Sequence, residues 1–126
     1  MFGRKKAKML EGATEWHVVG TSYRQPALAK IAGKKKKEPA DHEVVAAIVP
    51  EPENEHDSNA VAVQVDGELV GYLSRGDAKK VQPLLLEMLK RDKVYAACRG
   101  RVIGGVKRSR KDETDYGVRL YFDLPG

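Results

Sequence analysis

Five side chains able to ligate ions or exchange protons, Glu51, Glu53, Glu55, His56 and Asp57, lie close together in one polar stretch, with Asn54 and Asn59 among them. Two readings of that stretch compete. Carboxylate oxygens and an imidazole nitrogen beside a basic surface are the equipment of a metal-dependent nuclease or phosphoesterase. Glu51, Glu53 and Glu55 would share one face of an extended chain, but the prolines at 50 and 52 work against that conformation. Alternatively, Asp57 and Asn59 hydrogen-bond their own backbone and start a tight turn.

The segments on either side decide how such a loop is held. Residues 42–50 carry the β-rich apolar pattern Val44, Val45, Ile48, Val49, and Pro50 and Pro52 deny a continuing strand its ladder donors. Residues 59–65 alternate as the next strand, Asp66-Gly67 is a two-residue hairpin turn, and residues 68–73 are its partner. The polar stretch therefore begins where one strand is forced to stop and ends where another starts.

Further along, Ser74 followed three residues later by Asp77 predicts a capped helix, with Leu85, Met88 and Leu89 facing a core and a kink or restart at Pro83. Residues 15–23 read as the first strand, and residues 26–32 as a short helix opened by Pro26 and ended by Gly33. Residues 94–103 and 116–124 are two more strands, joined by a glycine-rich loop with the basic cluster Lys107, Arg108, Arg110 and Lys111, which has the character of a flexible phosphate-contacting finger. Residues 34–41, which open with four lysines and have no apolar anchor, are expected to be an exposed, mobile surface insertion. Residues 1–14 read as a flexible basic N-terminal tail, leaving residues 15–126 as one domain. Six strands in hairpins with two short helical segments predict a mainly β protein, a small six-stranded barrel that is closed or nearly closed.

A chain of 126 residues supports one such core, and its 41% apolar and 33% charged content suits a folded domain with a heavily solvated surface. The single cysteine, Cys98, lies in an apolar strand pattern and is expected to be core. Net charge is +5, which favours polyanionic partners. No apolar run approaches the roughly 20 residues that span a bilayer, and the basic N-terminus lacks a signal peptide's apolar core. The expected setting is cytoplasmic, or with DNA in a nucleoid or nucleus, with no membrane partner and no secretion.

Three motifs occur in order: Val18-Val-Gly-Thr-Ser-Tyr23; a Pro-x-Asn-x-x-Asp-x-Asn-Ala core running from Pro52 to Ala60; and Val70-Gly-Tyr-Leu-Ser-Arg75 ahead of a helix. In this arrangement the chain resembles the HIRAN domain over about residues 16–124. The resemblance implies an OB-like barrel of the kind appended to fork-remodelling, helicase-like DNA translocases, where it captures a single-stranded 3′ end. It implies that Asp57, aided by Asn54, accepts a hydrogen bond from the terminal 3′-hydroxyl. An ionised carboxylate suits that task because it offers only acceptors and repels a phosphate at the same spot.

The resemblance also matches Tyr23 to an aromatic that stacks on the terminal base, and Tyr72 and Arg75 to residues set against the end-proximal phosphates. His56 stands where the family's characterised animal member has a second tyrosine; a histidine stacks with less area and a titrating charge. The plainer readings stand beside these: Tyr23 lines the barrel, Tyr72 packs on the sheet, and residues 34–37 are solvated.

The expectation is a non-catalytic module with no cofactor and no metal. It would recognise single-stranded DNA ends at replication or repair intermediates, with any helicase or nuclease a separate protein, since the chain has no phosphate-cradling Gly-x-x-x-x-Gly-Lys loop. The alternatives are the metal-dependent nuclease and a protein-interaction adaptor.

Overall fold

A computed structural model describes residues 6–125 of the chain. Its strands are β1 (Lys6–Met9), β2 (Glu15–Val19), β3 (Ala40–Pro50), β4 (Val61–Val65), β5 (Glu68–Leu73), β6 (Val94–Gly104) and β7 (Tyr116–Tyr121), with helices α1 (Gln25–Ala32) and α2 (Arg75–Glu87). Strands β6, β3, β4, β5, β2 and β7 follow one another in hydrogen-bonded order, and β7 pairs back onto β6 to close a six-stranded barrel. This is the barrel expected from the strand pattern, with one strand more than the sequence announced.

The additional strand is β1. Residues 6–9 fall within the segment expected to be a flexible tail, yet they pair in parallel with β6, Lys6 opposite Val94 and Met9 opposite Ala97. Only residues 1–5 of that segment lie outside the described residues. Strand β6 is long enough to serve two partners in succession, β1 along its first residues and β7 from Arg99 onward. The alternation of Lys6, Ala7, Lys8 and Met9 is too polar to be recognised as a strand, because its four residues stay exposed and gain their order from β6.

The hairpin turn is as predicted. Asp66 and Gly67 both take positive φ, 52° and 77°, which matches the right-handed twist of β4 and β5. Closure of the barrel depends on a close approach at Gly71, where a Cβ would lie 2.5 Å from the Val19 carbonyl oxygen. Inside, Ile48, Val63, Val70, Val102 and Leu120 are fully buried, and Trp16 stacks on Phe122 with ring centroids 4.8 Å apart while its indole donates to the Phe122 carbonyl. Cys98 is fully buried among them, its thiol pushed up to about 12 by burial.

Helix α2 begins at the Ser74 cap, whose hydroxyl accepts the Asp77 N–H at 3.2 Å. The break expected at Pro83 does not occur: α2 runs through it to Glu87, and the irregularity comes afterwards, as a π turn at Met88–Asp92. Pro83 stands on the exposed face, where a carbonyl left without its N–H partner can be hydrated at little cost.

Two loops expected to be mobile are tied to each other. The Lys107 N–H donates to the Lys36 carbonyl at 2.8 Å, and the Lys35 ammonium, only 16% exposed, pairs with Glu113 at 2.9 Å. Between β6 and β7 the chain forms a small hairpin of its own, with Arg108 N–H to Asp112 carbonyl at 2.9 Å and Thr114 N–H to Val106 carbonyl at 2.9 Å.

Candidate nucleic-acid interface

The loop of residues 51–60 is closed at its base and braced within. At the base, the Glu51 N–H donates to the Ala60 carbonyl at 2.9 Å. Inside, Asn54 Oδ1 accepts the N–H groups of His56 and Asp57 at 2.8 and 3.1 Å, while its Nδ2 donates to Glu51 Oε1 at 3.0 Å. Asp57 Oδ1 accepts the Asn59 N–H at 2.9 Å, and the Asp57 carbonyl accepts the Ala60 N–H. The bend expected from Asp57 and Asn59 is thus made by the side chains of Asn54 and Asp57, and Asn59 contributes its backbone N–H. The turn-forming role of Asp57 is real, and its second carboxylate oxygen has no hydrogen-bond partner among the described residues.

A third brace comes from α2. Gln82, 5% exposed, sends Nε2 to the carbonyls of Ser58 and Ala60 at 2.8 and 3.2 Å. Sequence reasoning passed over Gln82. The signal was a lone amide on a helix face otherwise made of Ala78, Val81 and Leu85, and a buried amide of that kind must find partners.

The other residues singled out lie in the turn after β2, on β5 and at the start of α2. Tyr23 sits in the 3-10 turn Thr21–Arg24 with its ring 85% exposed, so it does not line the barrel. An aromatic so open to water offers a flat surface to a stacking partner. Tyr72 lies on β5, half-buried, opposite Val19 on β2 and Ala62 on β4. Burial, then the charge of Glu51 and a hydrogen bond with it, push the Tyr72 hydroxyl above the usual phenol range, while Arg24 pulls the other way. Arg75, the first residue of α2, is exposed and reaches the His56 carbonyl at 3.4 Å.

Contacts therefore join Glu51, Asn54, His56, Asp57, Tyr72 and Arg75, with Arg24 near enough to act on Tyr72 and Tyr23 next to Arg24 in the same turn. Arg24 and the Glu51–Tyr72 contact were not anticipated, because Glu51 and Tyr72 belong to different strand ends and only the β3–β4–β5 pairing aligns them. The result is a mixed field: two carboxylates, Glu51 and Asp57, flanked by two guanidinium groups.

The basic cluster is elsewhere. Lys107, Arg108, Arg110 and Lys111 are all exposed on the hairpin between β6 and β7, and Lys107 and Arg108 face Glu113 and Asp112 at 3.9 Å. As for metal chemistry, among the described residues no three His, Cys, Asp or Glu side chains gather closely enough to hold an ion. Glu53, Glu55 and His56 are exposed along the loop, while Glu51 and Asp57 each have one oxygen engaged with loop groups.

A closed β-barrel with an exposed aromatic and a braced polar loop at one end defines the class: a small barrel built to present a binding surface. The model of the HIRAN domain matches residues 11–110, and the chain belongs to the HIRAN domain family. HIRAN domains are DNA-binding modules. Among solved structures the fold is similar to the crystal structure of the HIRAN domain of human HLTF, with TM-score 0.47, 18% identity, and coverage of 89% of this chain and 76% of that one. None of the curated proteins matches the chain. Among the described residues no helix is long and apolar enough to cross a membrane.

Proposed function

We propose that this protein is a non-catalytic DNA-binding module that captures a single-stranded end, preferentially one with a free 3′-hydroxyl, at the loop of residues 51–60. The observation that carries the reading is the state of Asp57: one carboxylate oxygen accepts the Asn59 N–H, which fixes the side chain, and the other has no hydrogen-bond partner among the described residues. An acceptor held in this way takes a hydroxyl, and the adjacent Glu51 adds to the field that turns away a phosphate. Tyr23 supplies the stacking surface, His56 extends it, and Arg75 with Tyr72 faces the phosphates behind the last nucleotide. Arg75 is the stronger of those two contacts, since a guanidinium can bind a phosphate bidentately. Work at replication or repair intermediates, beside a separate helicase or nuclease, follows from this reading. The metal-dependent nuclease finds no supporting ligand cluster among the described residues.

The test compares a labelled single strand ending in a 3′-hydroxyl, the same strand 3′-phosphorylated, and blunt duplex, each with and without Mg²⁺. Preference for the hydroxyl end with no cleavage is expected. Equal affinity for all three sinks end recognition, and cleavage that requires Mg²⁺ reinstates the nuclease. Asp57→Asn keeps an acceptor for the Asn59 N–H but removes the charge, so it should narrow the gap between hydroxyl and phosphate ends while leaving the protein folded.

A further inference from the structure

The chain carries two basic runs far apart in sequence, Lys34, Lys35, Lys36 and Lys37, and Lys107, Arg108, Arg110 and Lys111, and the fold makes them one object. A backbone bridge joins Lys36 to Val106, and the Lys107 N–H donates to the Lys36 carbonyl at 2.8 Å. We infer that this lobe, residues 34–37 with residues 105–115, is a second DNA-contacting surface that takes phosphates of the same strand whose 3′ end sits at residues 51–60. The inference rests on the end-binding reading above.

Charge is concentrated here. Residues 34–37 and 105–115 contain eight Lys and Arg against three Asp and Glu, a net +5 equal to that of the whole chain, so the remainder is neutral. The placement of the acids sharpens the asymmetry. Lys35 turns inward, pairs with Glu113 at 2.9 Å and approaches Asp115 at 3.8 Å, and its ammonium lies 5.8 Å from the centre of the Tyr116 ring. Glu113 is held below the usual carboxylate range by that lysine. With two acids drawn onto Lys35 and Asp112 facing Arg108, the cations Lys34, Lys36, Lys37, Arg110 and Lys111 stand exposed with no acidic partner among the described residues; Glu38 marks the edge of the patch. Unpaired cations on a fixed backbone suit phosphates, because no internal ion pair has to break on binding.

The lobe is also at a set distance from the end site. Helix α1 runs from the turn that carries Tyr23 to Gly33, just before Lys34. Tyr116 fastens both ends of that helix: its N–H and carbonyl are bonded by the Gln25 side chain, and its hydroxyl donates to the Gly33 carbonyl. Eight helical residues at 1.5 Å each span about 12 Å. At about 3.4 Å per stacked nucleotide that is on the order of four nucleotides beyond the base on Tyr23.

The test is binding against length. Thymidine oligonucleotides of three to twelve nucleotides with 3′-hydroxyl ends are titrated by fluorescence anisotropy at two salt concentrations, against the wild type and the combined variant Lys36→Gln, Arg110→Gln, Lys111→Gln. The wild type should gain affinity in a step once the strand exceeds about five nucleotides, whereas the variant should match it on the shortest strands and lose about tenfold on the longest. The salt slope on the longest strand should fall by about two, from roughly 0.7 per lost phosphate contact. Equal binding of wild type and variant at twelve nucleotides, or a loss uniform across all lengths, overturns the lobe. The hydroxyl-against-phosphate comparison on the shortest strands reads the end site separately, so failure there leaves the length step to be judged on its own. All three substituted side chains are exposed, and an unchanged melting temperature confirms that the variant is folded.

Discussion

The Gln25 side chain and the backbone of Tyr116 are doubly bonded, Oε1 accepting the Tyr116 N–H at 2.8 Å and Nε2 donating to its carbonyl at 3.0 Å, with a further donation to Thr21. One amide thereby fastens the turn that carries Tyr23 to β7. The exposed ring is positioned through its neighbours and not by its own packing.

That separation predicts different outcomes at two nearby positions. Tyr23→Ala should leave the melting temperature nearly unchanged, as exposed substitutions usually stay within about 0.5 kcal/mol, yet weaken single-stranded DNA binding by roughly 1–3 kcal/mol. Gln25→Ala should lower stability by about 1–3 kcal/mol because the Tyr116 backbone loses its partners, and should weaken binding as well. Calorimetry and anisotropy on both variants check this; a destabilised Tyr23→Ala would mean that the ring packs in solution.

Gln82→Leu keeps the volume near that of the amide but removes both donations to the 51–60 loop. The Ser58 carbonyl then loses its donor and the buried Ala60 carbonyl keeps only the Glu51 N–H, and a stability loss of about 1–3 kcal/mol is expected. Amide exchange at the Glu51 and Ala60 N–H groups should speed up. Unchanged exchange would show that Asn54 and Asp57 hold the loop without α2.

Gly105→Ala should be among the most damaging small substitutions. Its φ of +67° disfavours a side chain, and a Cβ would stand 2.2 Å from the Tyr116 ring. Overpacking of this kind costs about 1–3 kcal/mol, and moving Tyr116 would release Gly33 and the basic lobe with it. Chemical denaturation measures the first effect and the length dependence of DNA binding the second.

Two acids that are neutral at pH 7, Cys98 and Tyr72, have folded pKa values above their ordinary ones: Cys98 at about 12 against 9.0, from burial, and Tyr72 raised from 10.0, chiefly by burial and then by Glu51. For an acid raised on folding, the contribution to stability is whole below its unfolded pKa and is lost as pH rises through the folded one. Melting temperature should therefore hold up to about pH 9 and fall above it. A thiol reagent at pH 8 should modify Cys98 only as fast as the barrel opens; immediate modification would contradict its burial.

The sequence alone determined the barrel's strands, the Asp66-Gly67 turn, the Ser74 cap and the family, because alternation, turn residues and caps are local signals carried within a few residues. It also marked Tyr23, Asn54, His56, Asp57, Tyr72 and Arg75 through the order of three motifs. Tertiary structure decided the rest. β1 exists only because β6 outruns β7; Gln82 and Arg24 acquire meaning only when α2 and the first turn meet the strand ends; and residues 34–37, which look like a loose solvated loop, join the hairpin of residues 105–115 through the Lys36 carbonyl and the Lys35 ammonium. Each of these depends on contacts between residues distant in the chain, and a pattern read over a few neighbours carries no trace of what closure of the barrel brings together.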